Sequence, residues 1–276
     1  MKKIFYSILV FLLILLNFST VCADDVDNEV DFEDTIEVTA SNVSELPKTN
    51  SRRYIVYDRI SKSMIIGKNE DIKSAMASTT KIMTTIVILE KADLNETVTV
   101  SAKAGGTGGS RLGLKRGDKA SVRDLLYGLM LRSGNDAAVA LAEHVGGSVK
   151  EFAELMNEKA IELGLTNTHF VTPHGLDDAN HYTTALELAK LTDYAMNNET
   201  FSKIVGTKSI TIYINNQPRQ INNTNELLGV LNGVVGVKTG FTNNAGRCLV
   251  TETKRNNMDI ITIVLGADTK KDRTKD

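Results

Sequence analysis

The sequence predicts an α+β protein: one antiparallel sheet assembled from both ends of the chain, with a helical subdomain covering it. Three observations carry this. Two short β-rich runs stand near the start, Arg53–Tyr57 and Ser63–Ile66. The middle reads in apolar stretches that begin with helix-capping signals. The last third returns to runs rich in Val, Ile and Thr.

Taken in order, Arg53–Tyr57 and Ser63–Ile66 read as two strands joined by a short turn. Ala77 to Ala92 is apolar and free of Gly and Pro, so it reads as a buried helix that Ser78 begins. Val98–Val100 suggests a short strand. Gly105-Gly106-Thr107-Gly108-Gly109-Ser110 reads as a loop, because consecutive glycines lose too much backbone entropy inside an element. Ser121 with Asp124 starts a helix over Val122–Arg132, and Ala137–His144 is a second. Ser148 with Glu151 starts a third, ending near Leu163-Gly164. Thr184 with Glu187 opens a fourth, running to Asn197. Strands are expected at Ser209–Ile214, Val234–Lys238, Cys248–Thr253 and Asp259–Leu265, with Lys254–Asn257 as the turn between the last two.

The N-terminus points to export. Lys2 and Lys3 precede an apolar run from Ile4 to Leu16, and Val21-Cys22-Ala23 offers small residues for cleavage. The run is too short to favour a membrane span, and Ser19-Thr20-Val21 suits acylation of Cys22 poorly. Residues 1–23 therefore read as a signal peptide. Residues 24–50 form an acidic leader with eight acidic residues between Asp24 and Glu37, where like charges keep the segment solvated. Residues 51–276 carry the fold.

Composition excludes several classes. Removing Lys2 and Lys3 from 32 basic residues leaves 30 against 34 acidic ones, a net charge of −4 with no basic stripe, so nucleic acid is not expected as a partner. After cleavage Cys248 stands alone, so no disulfide forms within the chain. Four histidines without ligand spacing give no zinc signature, and no cofactor or metal is expected.

Chemistry enters with three short motifs. In Ser78-Thr79-Thr80-Lys81 the serine and lysine stand three apart, on one helix face, so the amine reaches the hydroxyl. A serine becomes a good nucleophile only when a base takes its proton, and lysine serves if burial lowers its pKa. A start in the first helical turn also aims backbone N–H groups at a developing oxyanion. Alone this motif is weak, since a chain of this length shows about one by chance. Ser133-Gly134-Asn135 lies between two helices. It reads either as a capping pair or as a hydroxyl that relays a proton beside an amide that binds substrate or holds Lys81. Lys238-Thr239-Gly240 ends a strand; the cation and hydroxyl suit a terminal carboxylate, and Gly240 admits a close backbone.

In this order and on these elements, the three motifs resemble the penicillin-binding proteins and serine β-lactamases, with Gly134 in place of the usual middle aspartate. Leu125–Ala138, Thr172-Pro173-His174-Gly175-Leu176 and Val237–Thr242 with Ala245-Gly246-Arg247 narrow the resemblance to the serine D-alanyl-D-alanine carboxypeptidases, over roughly Tyr54 to Arg273. That resemblance implies a β-lactamase/transpeptidase-like fold. It implies Ser78 as nucleophile, Lys81 as general base, Ser133 as proton relay and Asn135 as the residue orienting the groups around it. Lys238, Thr239 and Gly240 would bind the substrate, and the N–H groups of Ser78 and Phe241 would form the oxyanion hole. Arg273 either sits near the substrate carboxylate or is a solvated tail residue. The implied substrate is a peptidoglycan stem peptide ending in D-Ala-D-Ala, with β-lactam antibiotics as covalent inhibitors, acting at the cell wall or the outer face of the cytoplasmic membrane.

His174 resembles a candidate base, but between Pro173 and Gly175 it fits a structural loop, and a Ser–Lys pair needs no histidine. Cys248 is expected to pack as a small apolar residue. Family members usually continue into a further helix and a β-rich domain, and the charged run Lys270–Asp276 resembles the entry to that helix, so the chain reads as a fragment or a shortened protein and membrane attachment is left open. The rival functions are a serine β-lactamase, which needs a glutamate to activate water whereas Glu162 and Glu187 fall within predicted helices rather than a loop, a non-catalytic wall-binding module, and a D,D-endopeptidase.

Overall fold

The computed structural model describes residues 48–276. The expected signal peptide and the acidic leader as far as residue 47 lie outside the described residues. Strands β1 (Arg53–Asp58) and β2 (Ser63–Lys68) make an antiparallel hairpin. Strands β7 (Val234–Thr242), β8 (Gly246–Arg255) and β9 (Met258–Ala267) make an antiparallel meander. These join in the order β2-β1-β9-β8-β7, so β9 pairs with β1 at the centre of the sheet. The sheet is built from both chain ends, as expected.

Strand alternation decides which residues face the helices. Ile261 and Ile263 of β9 stand opposite Tyr57 and Ile55 of β1, and Ile263 also stands opposite Val250 of β8. All are buried, each large aliphatic contributing about 1.5–3 kcal/mol on burial. In the same register Lys238 of β7 faces Val250 and Gly240 faces Cys248. Two motif residues therefore lie on the face that the helices cover, on the sheet's edge strand.

Helix α1 (Lys81–Lys91) runs through the helical block with Lys81 to Ile88 all buried. Around it, a four-residue turn α2 (Ala102–Gly105) precedes α3 (Val122–Leu131), α4 (Asn135–Gly146), α5 (Val149–Glu162) and α6 (Ala185–Met196). The capping signals act where they were read. The hydroxyls of Ser121, Ser148 and Thr184 accept the N–H groups of Asp124, Glu151 and Glu187 at 3.0, 3.1 and 3.1 Å, each cap being worth about 1 kcal/mol. Helix α6 packs on β1 and β9, closing the helical layer over the sheet.

At the far end of α6, Arg59 bonds Asp193 of α6 at 3.0 Å and Asp259 of β9 at 2.9 Å, and pairs with Glu252 of β8. Lys62 adds a second cation at Asp193, 2.7 Å away. Burial, with Asp259 beside it, pushes the Glu252 carboxyl up to about 7 against the pull of Arg59.

Several expectations need correction. Ser78 does not begin an α-helix. It lies in a 3-10 turn, Ala77–Thr80, because Ala77 takes a left-handed φ of +49° and the Thr79 and Thr80 hydroxyls donate to the carbonyls of Met76 and Ala77. The Lys238-Thr239-Gly240 motif does not end its strand; pairing with β8 continues to Thr242. Ser209–Ile214 (β5) does not join the main sheet. It pairs with an unforeseen strand β6 (Gln217–Asn222), whose Pro218 concealed it, across a two-residue turn of Asn215 and Asn216 with φ of +53° and +60°. Strand β3 (Thr97–Thr99) pairs with a second unforeseen strand, β4 (Lys119–Ser121). A short helix α7 (Glu199–Val205), capped by Asn198, was also missed. The turn between β8 and β9 shrinks to Asn256 and Asn257, both with positive φ. Helix α8 (Lys270–Lys275) packs on β8 and β9, and its following residue Asp276 accepts the N–H groups of Asn50 and Ser51 at 2.9 and 2.7 Å.

Candidate active site

The 3-10 turn that carries Ser78 lies against β7, and the start of α1 follows it directly. Lys81, the first residue of α1, is fully buried, whereas Ser78 is half-buried. The Lys81 amine bonds Ser78 Oγ, Asn135 Oδ1 and the His174 carbonyl, each at 2.8 Å. Three segments far apart in sequence thus converge on one nitrogen.

Asn135 opens α4 and is buried. Its amide Nδ2 donates to the Gly108 carbonyl at 2.8 Å, and its backbone N–H donates to the Ser110 carbonyl at 2.8 Å. The Gly-rich loop therefore does more than turn. Gly109 has φ +79°, and a Cβ there would stand 2.6 Å from Asn135 Nδ2, so only glycine brings the backbone this close. The next residue, Asp136, was not singled out from sequence. Its buried carboxylate accepts the N–H groups of Leu112, Gly113, Leu114 and Ala137 at 2.8–2.9 Å, and so ties residues 112–114 to the start of α4. Ser133 is buried in the turn two residues before Asn135, with a left-handed φ of +57°. Such a conformation in a non-glycine residue stores strain and often marks a functional site.

On the sheet side, Lys238 is buried and its amine donates to the Thr239 carbonyl at 2.8 Å. The Thr239 hydroxyl meets that of Thr224 at 2.9 Å. Gly240 touches the 3-10 turn directly: a Cβ there would lie 3.0 Å from the Ser78 nitrogen. Phe241 follows, half-buried, with the Arg247 guanidinium 4.3 Å from its ring centroid. Arg273, on α8, is buried and stands 3.8 Å from Glu226, so it is not a solvated tail residue.

The structure brings Ser78, Lys81 and Asn135 together by hydrogen bonds and Gly240 to them by contact. It also adds a segment that sequence reasoning treated as plain loop. His174 supplies a backbone carbonyl rather than a base. Its imidazole is held down to about 3, chiefly by burial, and its Nδ1 accepts the Leu176 N–H. Gly175, with φ +87°, packs so tightly on the Ser78 turn that any Cβ would collide with the Ala77 carbonyl. The Pro-His-Gly sequence was the available signal. Cys248 is buried, and burial pushes its thiol up to about 11, as packing requires. Among the described residues no group of His, Cys, Asp and Glu side chains is placed to hold a metal ion.

Fold and site together define a member of the β-lactamase/transpeptidase-like class. The chain resembles the crystal structure of the Streptomyces K15 DD-transpeptidase with a TM-score of 0.78 and 34% identity, over 83% of this chain and 94% of that one. It resembles the D-alanyl-D-alanine carboxypeptidase DacD of Francisella tularensis with a TM-score of 0.77 and 30% identity, over 83% and 68%. The family model for D-alanyl-D-alanine carboxypeptidase, peptidase family S11, matches residues 39–269, and the chain belongs to that family. D-alanyl-D-alanine carboxypeptidase DacF of Bacillus subtilis is 38% identical over 225 residues, 79% of this chain and 58% of that protein. DacC of Escherichia coli is 39% identical over 258 residues, 85% of this chain and 61% of that protein. The chain thus spans about three fifths of the length of these relatives.

Proposed function

We propose that this protein is a serine D,D-carboxypeptidase that removes the terminal D-alanine of peptidoglycan stem pentapeptides through an acyl-enzyme on Ser78. The observation that carries this reading is the 2.8 Å hydrogen bond between the buried Lys81 amine and Ser78 Oγ. A neutral amine has two N–H groups and one lone pair. Here the N–H groups suit Asn135 Oδ1 and the His174 carbonyl, and the lone pair suits the Ser78 proton.

In the reaction Ser78 Oγ attacks the carbonyl carbon of the penultimate D-alanine while its proton passes to Lys81. The N–H groups of Ser78 and Phe241 receive the oxyanion. The Ser133 hydroxyl relays the proton to the departing amine, the C–N bond breaks and D-alanine leaves. Lys238 and Thr239 hold its carboxylate, with Arg273 as a further cation at that end, and Gly240 admits the peptide backbone beside β7. Water then attacks the ester carbonyl, losing its proton to Lys81 as Ser78 Oγ is re-protonated, and releases the shortened peptide. β-Lactams would acylate the same serine.

The substrate lies outside the cytoplasm, in keeping with the exported character read from residues 1–23. Among the described residues no helix is long and apolar enough to cross a membrane. No observation favours the β-lactamase reading. Glu162 pairs with Lys159, and Glu187 accepts the Asn167 N–H at 2.9 Å and the Thr168 hydroxyl at 2.5 Å.

The test is incubation with a synthetic pentapeptide ending in D-Ala-D-Ala while released D-alanine is followed. Release that vanishes in Ser78→Ala, together with loss of covalent penicillin labelling, supports the reading. Rapid penicillin hydrolysis without D-alanine release would overturn it in favour of a β-lactamase. Undiminished penicillin binding by Ser78→Ala would overturn it in favour of a non-catalytic module.

A further inference from the structure

We infer that His181 is a positioning residue for acylation: through Thr80 it holds the Ala77–Ser78 peptide in the orientation that aims the Ser78 N–H at the oxyanion. The inference rests on the acyl-transfer reading above and adds to it a residue outside the three motifs.

The geometry begins with Ala77, which has a left-handed φ of +49° that an L side chain adopts at a cost. A peptide unit is planar and trans, so its C=O and N–H point in opposite directions. Whatever fixes the Ala77 carbonyl therefore fixes the direction of the Ser78 N–H. The Thr80 hydroxyl does so, donating to the Ala77 carbonyl at 2.8 Å. Gly175 closes the other side: its Cα packs where any Cβ would strike that carbonyl.

The chain of donors continues inward. Thr80 Oγ1 lies 2.8 Å from His181 Nε2. A carbonyl only accepts, so the single Thr80 proton goes to Ala77, and Thr80 Oγ1 must accept from His181 Nε2–H. The other ring nitrogen agrees. His181 Nδ1 accepts the backbone N–H groups of Val171 and Thr172 at 2.9 and 3.4 Å, which places the proton on Nε2. One assignment satisfies every group: Val171 N–H to His181, His181 to Thr80, Thr80 to the Ala77 carbonyl. His181 and Thr80 are buried, so water does not compete for these bonds. Burial also holds the imidazole down to about 4, keeping it neutral, as this assignment requires.

A ring that merely filled space would need no such chain. Without the Thr80 donor the Ala77 carbonyl keeps only the Gly175 contact, and its peptide, already in a costly conformation, can turn and carry the Ser78 N–H away. Acylation then loses a preorganised donor, while the groups that bind the substrate carboxylate stay in place.

The experiment measures acylation by a fluorescent penicillin, separating the first-order acylation constant from the preceding dissociation constant, in wild type, Thr80→Val, Thr80→Ser and His181→Gln. Thermal melting of each variant reports folding. Thr80→Val, isosteric but without the donor, is expected to slow acylation by about ten- to hundredfold, with the dissociation constant within about twofold and a melting midpoint above the assay temperature. Thr80→Ser, which keeps the hydroxyl, is expected to recover most of that rate. His181→Gln, which keeps a side-chain N–H, is expected to fall between them. Acylation of Thr80→Val at the wild-type rate would overturn the inference, as would a loss confined to the dissociation constant or a Thr80→Ser variant as slow as Thr80→Val. Failure of wild type to label at all would instead sink the acyl-transfer reading, which keeps the two distinguishable.

Discussion

Gly240 lies against the backbone of Ser78, close enough that a Cβ on Gly240 would stand 3.0 Å from the Ser78 nitrogen and 3.1 Å from the Ala77 Cβ. The edge strand and the turn that carries Ser78 are thus in contact through a residue with no side chain. Gly240→Ala forces the strand or the turn to move by a few tenths of an ångström, and misplacement of reacting groups on this scale is costly in rate. We expect penicillin acylation to slow by about tenfold or more with little change in melting temperature. Wild-type acylation rates for Gly240→Ala would show that the contact has no bearing on the chemistry.

Asn135 joins Lys81 to the Gly-rich loop through both of its amide atoms, each bond 2.8 Å long. Asn135→Ala leaves the Gly108 carbonyl and the buried Lys81 amine each short of a partner. Each such loss costs about 1–3 kcal/mol. We expect a lower melting temperature and acylation slowed by about a hundredfold, because the Lys81 amine, the proposed acceptor of the Ser78 proton, loses its orientation. Asn135→Asp places a charge at the same position and distinguishes orientation from charge in a pH–rate profile.

His181 predicts sensitivity to acid. Its folded value of about 4 lies below the ordinary 6.5, so the unfolded chain binds the proton more readily. The stability this neutral imidazole contributes is therefore fully present above pH 6.5 and is lost as pH falls towards 4. Its size is about 3 kcal/mol at one pKa unit per 1.4 kcal/mol. Melting curves between pH 7 and 4 should fall steeply for wild type and less steeply for His181→Gln. Equal slopes would refute the assignment.

Glu252 predicts the opposite trend. Its carboxyl is raised from 4.5 to about 7 by burial, so the folded state holds the proton more tightly. Its contribution is present below pH 4.5 and is lost as pH rises through about 7. Glu252→Gln keeps a partner for Arg59 without the charge. The variant's melting temperature relative to wild type should therefore rise between pH 5 and pH 8, and a constant difference across that range would count against it.

Much of this molecule was legible in the sequence because its signals are local. Capping hydroxyls at Ser121, Ser148 and Thr184 act on residues three positions away, and the β-branched run Ile261–Val264 needs no distant partner to be read. The Ser78–Lys81 proximity is likewise a matter of spacing. What escaped depended on tertiary contact. Strand β6 contains Pro218 and four polar residues, so only its pairing with β5 makes it a strand. The left-handed step at Ala77 exists because the Thr80 hydroxyl and Gly175 surround its carbonyl, and no propensity foretells it. The part played by the His174 carbonyl was invisible for the same reason: a backbone group has no letter in the sequence.

The pairing of β9 with β1 has a kinetic consequence. Ser78 and Lys81 emerge early in synthesis, but the central strand that joins the two halves of the sheet spans residues 258–267. Contacts of such long sequence separation form slowly and late. A nascent chain holds both members of the Ser–Lys pair well before any residue of the edge strand β7 (Val234–Thr242) has been made. Acylation competence should accordingly arise in a single step near the completion of folding, which would make a fluorescent penicillin a reporter of the closure between β1 and β9.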